Sequence, residues 1–507
     1  MNYKIFSHFA GTLIVVLASF SFDLSEWQSK FIHIKEDKLV YVPDEKGNTI
    51  PDFSRVGYYQ GDKPIPDVKV IKTITPDGKD DDRLLIQTAI DEVASLPAGK
   101  DGFRGAILLK KGTYKIYGTV NISAGGIVIR GEGNSEKRTL VTAAGKGQRS
   151  LFRISGTNNR TEIENTRTKI SDSYVASGSF SFTVENPGCF KAGDNVVIFR
   201  PGTDAWIKDL QMDKIVPRQG TRQWRAKEYN LHFERTITRI EGNRVFVDIP
   251  VVMPMEDKYG GGYVYKYSFD GRISEVGIEN IFFRSEYASD TDEDHSWIAI
   301  DFESVQNCWA RNITSRYFAY SCVFIGENGK FITVSNSECL DAKSLITGGR
   351  RYSFNVNGQM CLVENCLATD GRHDYVTGAR VCGPNVFYNC KAIRTHADIG
   401  PHHRWAVGTL YDNIETDGQI NVQDRGNYGS GHGWAGAVQV LWNCKASETC
   451  VQSPWVSAKN YCIGETGRKS SGRFSDRPDG EWEGLNKQGL QPESLYQAQL
   501  RARKFRK

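Results

Sequence analysis

Val363-Glu364-Asn365-Cys366-Leu367-Ala368, Phe387-Tyr388-Asn389-Cys390-Lys391-Ala392 and Leu441-Trp442-Asn443-Cys444-Lys445-Ala446 share one pattern. Each runs apolar or aromatic, any residue, Asn, Cys, any residue, Ala. Looser copies are Ile278-Glu279-Asn280-Ile281, Val305-Gln306-Asn307-Cys308 and Leu410-Tyr411-Asp412-Asn413-Ile414, while Val334-Ser335-Asn336-Ser337-Glu338-Cys339 puts Glu338 in the asparagine slot. The slots fall at 280, 307, 338, 365, 389, 413 and 443, which are 24 to 31 residues apart. That interval suits one coil of a parallel β-helix, short strands separated by turns. Asparagine suits a tight corner because it tolerates a left-handed backbone and its amide can bond to the next coil. The pattern predicts an all-β chain, a right-handed parallel β-helix from about Val276 to Asn443. A leucine-rich repeat of similar period is excluded by the missing leucine frame and helical half.

Outward from the repeat, main coils are expected over residues 271–465. In the N-terminal region, 23–149, Asp77-Gly78-Lys79-Asp80-Asp81-Asp82 precedes Arg83–Ala94, whose apolar positions follow a helical period. A helix there is expected to cap the open end of the stack. The first coils are read at Ala106–Leu109, Gly112–Tyr114 and Ile127–Gly131. Residues 150–270 break the rhythm and read as an inserted β-rich subdomain, with Trp206, Trp224 and Tyr229 as core fillers or the lining of a sugar cleft. Residues 466–507 read as a tail with a short helix at Pro492–Leu500 and a solvated basic end from Arg501 to Lys507.

Residues 1–22 carry Lys4 and an apolar run from Phe9 to Phe22, which reads as a secretory signal peptide and predicts a secreted or periplasmic protein. No later segment is apolar enough to span a membrane. The 507 residues hold 64 basic and 60 acidic side chains, a net charge of +4. Such a balance argues against nucleic-acid binding through bulk charge, so any anion site must be local. Ten of the eleven cysteines lie between Cys308 and Cys462, several in the repeat context. They are read as small apolar residues stacked in a core, ahead of a disulfide framework.

Five of nine histidines fall between His373 and His432. Coils lie on the order of 5 Å apart, so equivalent positions on neighbouring coils become neighbours in space. His373 and His396 follow their own asparagines by eight and seven residues. Arg380 and Arg404 each follow theirs by fifteen, and His402 and His432 each precede the next by eleven. Arg and His in register suit an anionic glycan, because arginine binds a carboxylate and lowers the cost of removing the neighbouring ring proton. An imidazole can take that proton, which is the β-elimination route of a lyase. The reading assigns His402 as base, His373 or His432 as acid, and Arg404 with Arg380 as holders of the carboxylate. Arg351, Arg372, His396, His403, Trp405, Arg425, Trp434, Asp374 and Asp398 are expected to bind substrate. A glycoside hydrolase, using Asp374 and Asp398 as its two carboxyls, is the alternative. A non-catalytic glycan-binding β-helix is the third. No HExxH or paired Cys-x-x-Cys frame points to zinc; calcium, held by Asp and carbonyl oxygens, stays open as the one cofactor. The expected partner is an acidic polysaccharide or oligosaccharide, met by a monomer.

Asp77-Gly78-Lys79-Asp80-Asp81 with its helix, Lys111-Gly112-Thr113-Tyr114 and the asparagine-marked coils resemble the pectate-lyase-like superfamily over most of residues 65–465. Gly349-Arg350-Arg351-Tyr352, Gly371-Arg372-His373-Asp374 and Gly400-Pro401-His402-His403-Arg404-Trp405 look like motifs of its bacterial members. The resemblance implies a secreted carbohydrate-active protein, frequently a polysaccharide lyase, with substrate lying across the parallel strands. The paired-arginine and calcium-aspartate pattern of the best-known pectate lyases is missing. Gly429-Ser430-Gly431-His432-Gly433 is similar to a polygalacturonase segment, without an Asp-Asp pair on the coils before it. The superfamily also holds epimerases, hydrolases and viral tailspikes, so the fold does not settle activity.

Overall fold

The computed structural model describes residues 26–78 and 80–505; the signal-peptide reading of 1–22 lies outside them. The body is a 30-stranded sheet system in which strand pairs with strand one coil further on, all parallel. One coil shows the plan. Leu362–Glu364 lies on the first side, Leu367–Thr369 on the second and Tyr375–Thr377 on the third. Each pairs with its counterpart in the next coil: Val386–Tyr388, Lys391–Ile393 and Gly400–Pro401. The interior is one continuous core from Ile74 to Cys462, built of aliphatic, aromatic and cysteine side chains. All eleven cysteines are free, and ten are buried. Cys390 and Cys444 aim their thiols at Val363 and Tyr411 carbonyls on the preceding coil, 3.6 and 3.2 Å away.

Asparagine marks the corner between the first and second sides, with two corrections to the sequence reading. Ile281 pairs with Ile313, and Ser335 with Arg311. The corner series is therefore Asn280, Asn312, Asn336, Asn365, Asn389, Asn413 and Asn443, every one in the left-handed region with φ between 49° and 59°. Asn307 stands at another corner, in register with Glu275 and Phe331, which also have positive φ. Glu338 lies past the corner, inside a strand. The asparagine motif occurs at two corners of one coil, so spacing alone confuses them.

The helix Arg83–Ala94 buries Ile86, Ala89, Ile90 and Val93 in the same core, next to the first coil. Its acidic lead-in ties it down, because Asp82 accepts the Lys115 N–H at 2.9 Å and Asp81 accepts those of Arg83 and Tyr117.

The insertion begins later than residue 150, since Ser150–Ser155 is a coil strand paired with Ile298–Glu303. Past it, an antiparallel sheet centred on Asn195–Arg200, Leu231–Glu241 and Tyr263–Ser268 stands against the coils. Its Glu234 is buried between Arg272 and Lys330 of the coil, at 2.8 and 3.3 Å. The first and last described segments meet as well. Trp27–Gln28 pairs with Leu490–Gln491, and the helix Leu495–Phe505 packs on the N-terminal hairpin and the outside of the coils. Arg503 is no solvated tail residue, because it binds Asp62 and the Ser54 and Gln60 carbonyls.

Candidate active site

The stack gathers four of the five clustered histidines on one face. Ring centroids lie 4.4 Å apart for His373 and His402, 5.0 Å for His402 and His403, and 4.9 Å for both His402–His432 and His403–His432. The Tyr352 hydroxyl lies 2.9 Å from His402 Nε2. His373 Nδ1 donates to the Asp398 carbonyl at 2.8 Å. Burial and the surrounding positive charge push all four imidazoles down: His402 to about 4, His403 to about 3, His432 to about 2 and His373 well below its usual value. They are thus neutral near pH 7 and able to accept a proton. His373 Nε2 and the Nδ1 atoms of His402, His403 and His432 are buried without a hydrogen-bond partner.

Three arginines edge this cluster without a carboxylate partner among the described residues. Arg372 donates to the Gly348 carbonyl and acts on both Tyr352 and His402. Arg404 holds the Ser430 carbonyl and hydroxyl at 3.0 and 2.6 Å. Arg380 lies 5.5 Å over the Tyr229 ring, and its N–H donates to the Arg404 carbonyl. Arg425, by contrast, is paired with the Asp398 carboxylate.

A cleft of about 380 Å³ opens on this face, and Tyr352 and His403 line its wall. His402 stands behind Tyr352. The sequence reading named Tyr352 only within a motif; its role could not be found there because no histidine is near it in the chain.

Several expected site residues sit elsewhere. Trp405 and Trp434 are fully buried where the insertion meets the coils, in one core with Trp206, Trp224 and Tyr229. None of these rings lines a sugar cleft, because the insertion needs an apolar seam to dock. Arg351 is buried and bonded to the Ser344 and Asp370 carbonyls. His396 lies 3.8 Å from Asp370, on the flank where Arg394 bridges Asp341 and Asp370. The Asp374 carboxyl is buried against Ser353 at 2.6 Å and pushed up to about 7 by burial. Neither Asp374 nor Asp398 lines the cleft, so these two do not flank a sugar there. No group of three or more His, Cys, Asp or Glu among the described residues is arranged to hold a metal ion.

No protein-family model matches this sequence, and no curated protein does. Among solved structures it is similar to ORF18 of Geobacillus virus E2, at 12% identity and TM-score 0.40, over 82% of this chain. The chain spans 59% of that protein's length. It is also similar to a tailspike protein of E. coli bacteriophage HK620 solved with a pentasaccharide, at 10% identity and TM-score 0.41, over 81% of this chain and 57% of the other. A third is DFA-IIIase of Arthrobacter chlorophenolicus A6, at 9% identity and TM-score 0.36, over 83% of this chain and 93% of the other.

Proposed function

We propose that this protein is a polysaccharide lyase of the pectate-lyase-like kind, exported and acting on a uronic-acid-containing glycan by β-elimination. The observation that carries the reading is the Tyr352–His402 pair at 2.9 Å, with Tyr352 on the cleft wall and the charge of Arg372 acting on both members from behind it. A uronate carboxylate would neutralise Arg372, Arg380 or Arg404, and the arginine would stabilise the charge that builds up as the ring proton leaves. Tyr352 Oη takes the proton next to the carboxylate while its own proton passes to His402 Nε2. The C–O bond to the leaving sugar then breaks, a C=C bond forms, and the stored proton returns through Tyr352 to the leaving oxygen. His402 thus keeps the role of base, acting through Tyr352. His373 and His432 pack against His402 and set its surroundings.

Acidic polysaccharides incubated with the full chain should yield products with the ultraviolet absorbance of an unsaturated uronide. New reducing ends without that absorbance would sink the lyase reading. They would favour hydrolysis, with Glu303 and Glu327, which both line the cleft, as its carboxyls in place of Asp374 and Asp398. Burial holds Glu303 above its usual range.

A further inference from the structure

The cleft has a half that elimination does not use. Besides Tyr352 and His403, its walls include Glu303, Tyr320, Phe324, Asn328, Asn355 and Asn357. Tyr320 is half-buried, its ring 5.2 Å from Tyr352 and 6.2 Å from Phe324. Asn355 Nδ2 donates to the Tyr320 hydroxyl at 2.7 Å, and Asn357 Nδ2 to Asn355 Oδ1 at 3.2 Å, which fixes this wall before any ligand arrives. Asp301 and Glu327 add their charges to that of Glu303. Neither Glu303 nor Glu327 forms an ion pair among the described residues, and the nearest cation to Asp301 is the half-exposed Arg153 at 4.0 Å.

The two halves of one cleft therefore carry opposite characters. One offers Tyr352 and His403, with the charges of Arg372, Arg380 and Arg404 acting on them from behind the wall. The other offers aromatic faces, amides and the Glu303 and Glu327 carboxylates, which have no ion-pair partner among the described residues. A second uronate in that half would bring its carboxylate towards Glu303 in a partly desolvated site, where like charges repel strongly. An uncharged pyranose meets no such penalty. Its C–H face can lie on Tyr320 or Phe324, and its hydroxyls can donate to Glu303 and to the amide oxygens.

We infer that the glycan bound here is mixed, with a uronate in the Arg–His half and a sugar lacking a carboxylate in the half formed by Glu303, Tyr320 and Asn355. The uronate part of this inference rests on the elimination reading; the uncharged-sugar part does not. The test is binding of the full chain to an array holding neutral oligosaccharides, N-acetylhexosamine oligosaccharides, homo-oligouronates and alternating uronate–neutral oligosaccharides. Alternating members should bind more tightly than homo-oligouronates by about tenfold or more. Tyr320→Ala and Glu303→Ala should erase that preference, and Tyr320→Trp should keep it, with unchanged melting temperatures showing that the variants fold. Homo-oligouronates bound as well as alternating ones, or a preference untouched by both alanine variants, would overturn the inference and leave elimination standing. Binding that depends on Tyr320 and Glu303 but needs no uronate would sink elimination and leave the uncharged-sugar half in place. Absence of binding to every member would overturn the inference outright.

Discussion

The asparagine corner and the histidine face are both built by stacking polar side chains on successive coils, yet they differ in how their hydrogen bonds close. At the corner six of the seven asparagines pair with one of their own kind. Asn312 donates to Asn280 at 2.9 Å, Asn389 to Asn365 at 2.6 Å and Asn443 to Asn413 at 3.1 Å. On the histidine face four buried ring nitrogens have no partner, and the arginines beside them lack carboxylates. Leaving buried polar atoms unpaired costs stability, on the order of 1–3 kcal/mol each. The corner is structural, and none of its amides is among the buried unpaired atoms of the described residues. The face keeps donors and acceptors that the fold itself does not pair, as the proposed site requires.

Substitutions should separate the two. The largest effect is expected at the Tyr352–His402 pair. His402→Ala or Tyr352→Phe should lower turnover on a cleaved glycan by about 10²–10⁴-fold, while melting temperature stays near that of the unchanged chain. Equal activity would refute the pair's role. Next comes Trp405, expected from sequence on the glycan side and found in the seam with its ring 4.9 Å from Trp206. Trp405→Ala should cost about 3–5 kcal/mol in unfolding free energy, measured by denaturant titration; a smaller change with lost glycan binding would restore the ligand role.

Acid should separate the regions further. An unfolded histidine titrates near 6.5, but His402 is held down to about 4 and His403 to about 3 in the fold. Between those values the unfolded chain binds protons that the folded chain refuses, so stability is full above 6.5 and falls as pH drops towards 4. Melting temperature should decline over that window, less steeply in His432→Gln. The acid limb of kcat/KM should fall near pH 4, not 6.5; a limb at 6.5 would place the essential base elsewhere. Arg404→Gln should raise KM for an acidic glycan by about tenfold, as expected for one charge-assisted contact, with binding of neutral sugars unchanged. The smallest effect belongs to the corner. Asn389→Ala should cost about 1–2 kcal/mol through its left-handed corner and lost amide bond, with no change in activity.

By itself the sequence determined the coil. A corner that recurs at nearly constant spacing reports local backbone geometry, and Asn365, Asn389, Asn413 and Asn443 all stand where the spacing put them. The same spacing brought Arg380 beside Arg404, whose backbones are bonded across one coil step. The tertiary structure alone decided which polar residues share a pocket. His396 turns to Asp370, Trp405 and Trp434 to the insertion, and Asp374 to Ser353, because each side chain's direction depends on the side of the coil it occupies and on what docks there. The pairing of Tyr352 with His402 joins residues 50 apart in the chain. Spacing counts residues along one coil, and it is blind to contacts made between coils at unequal positions or with an insertion that has its own register.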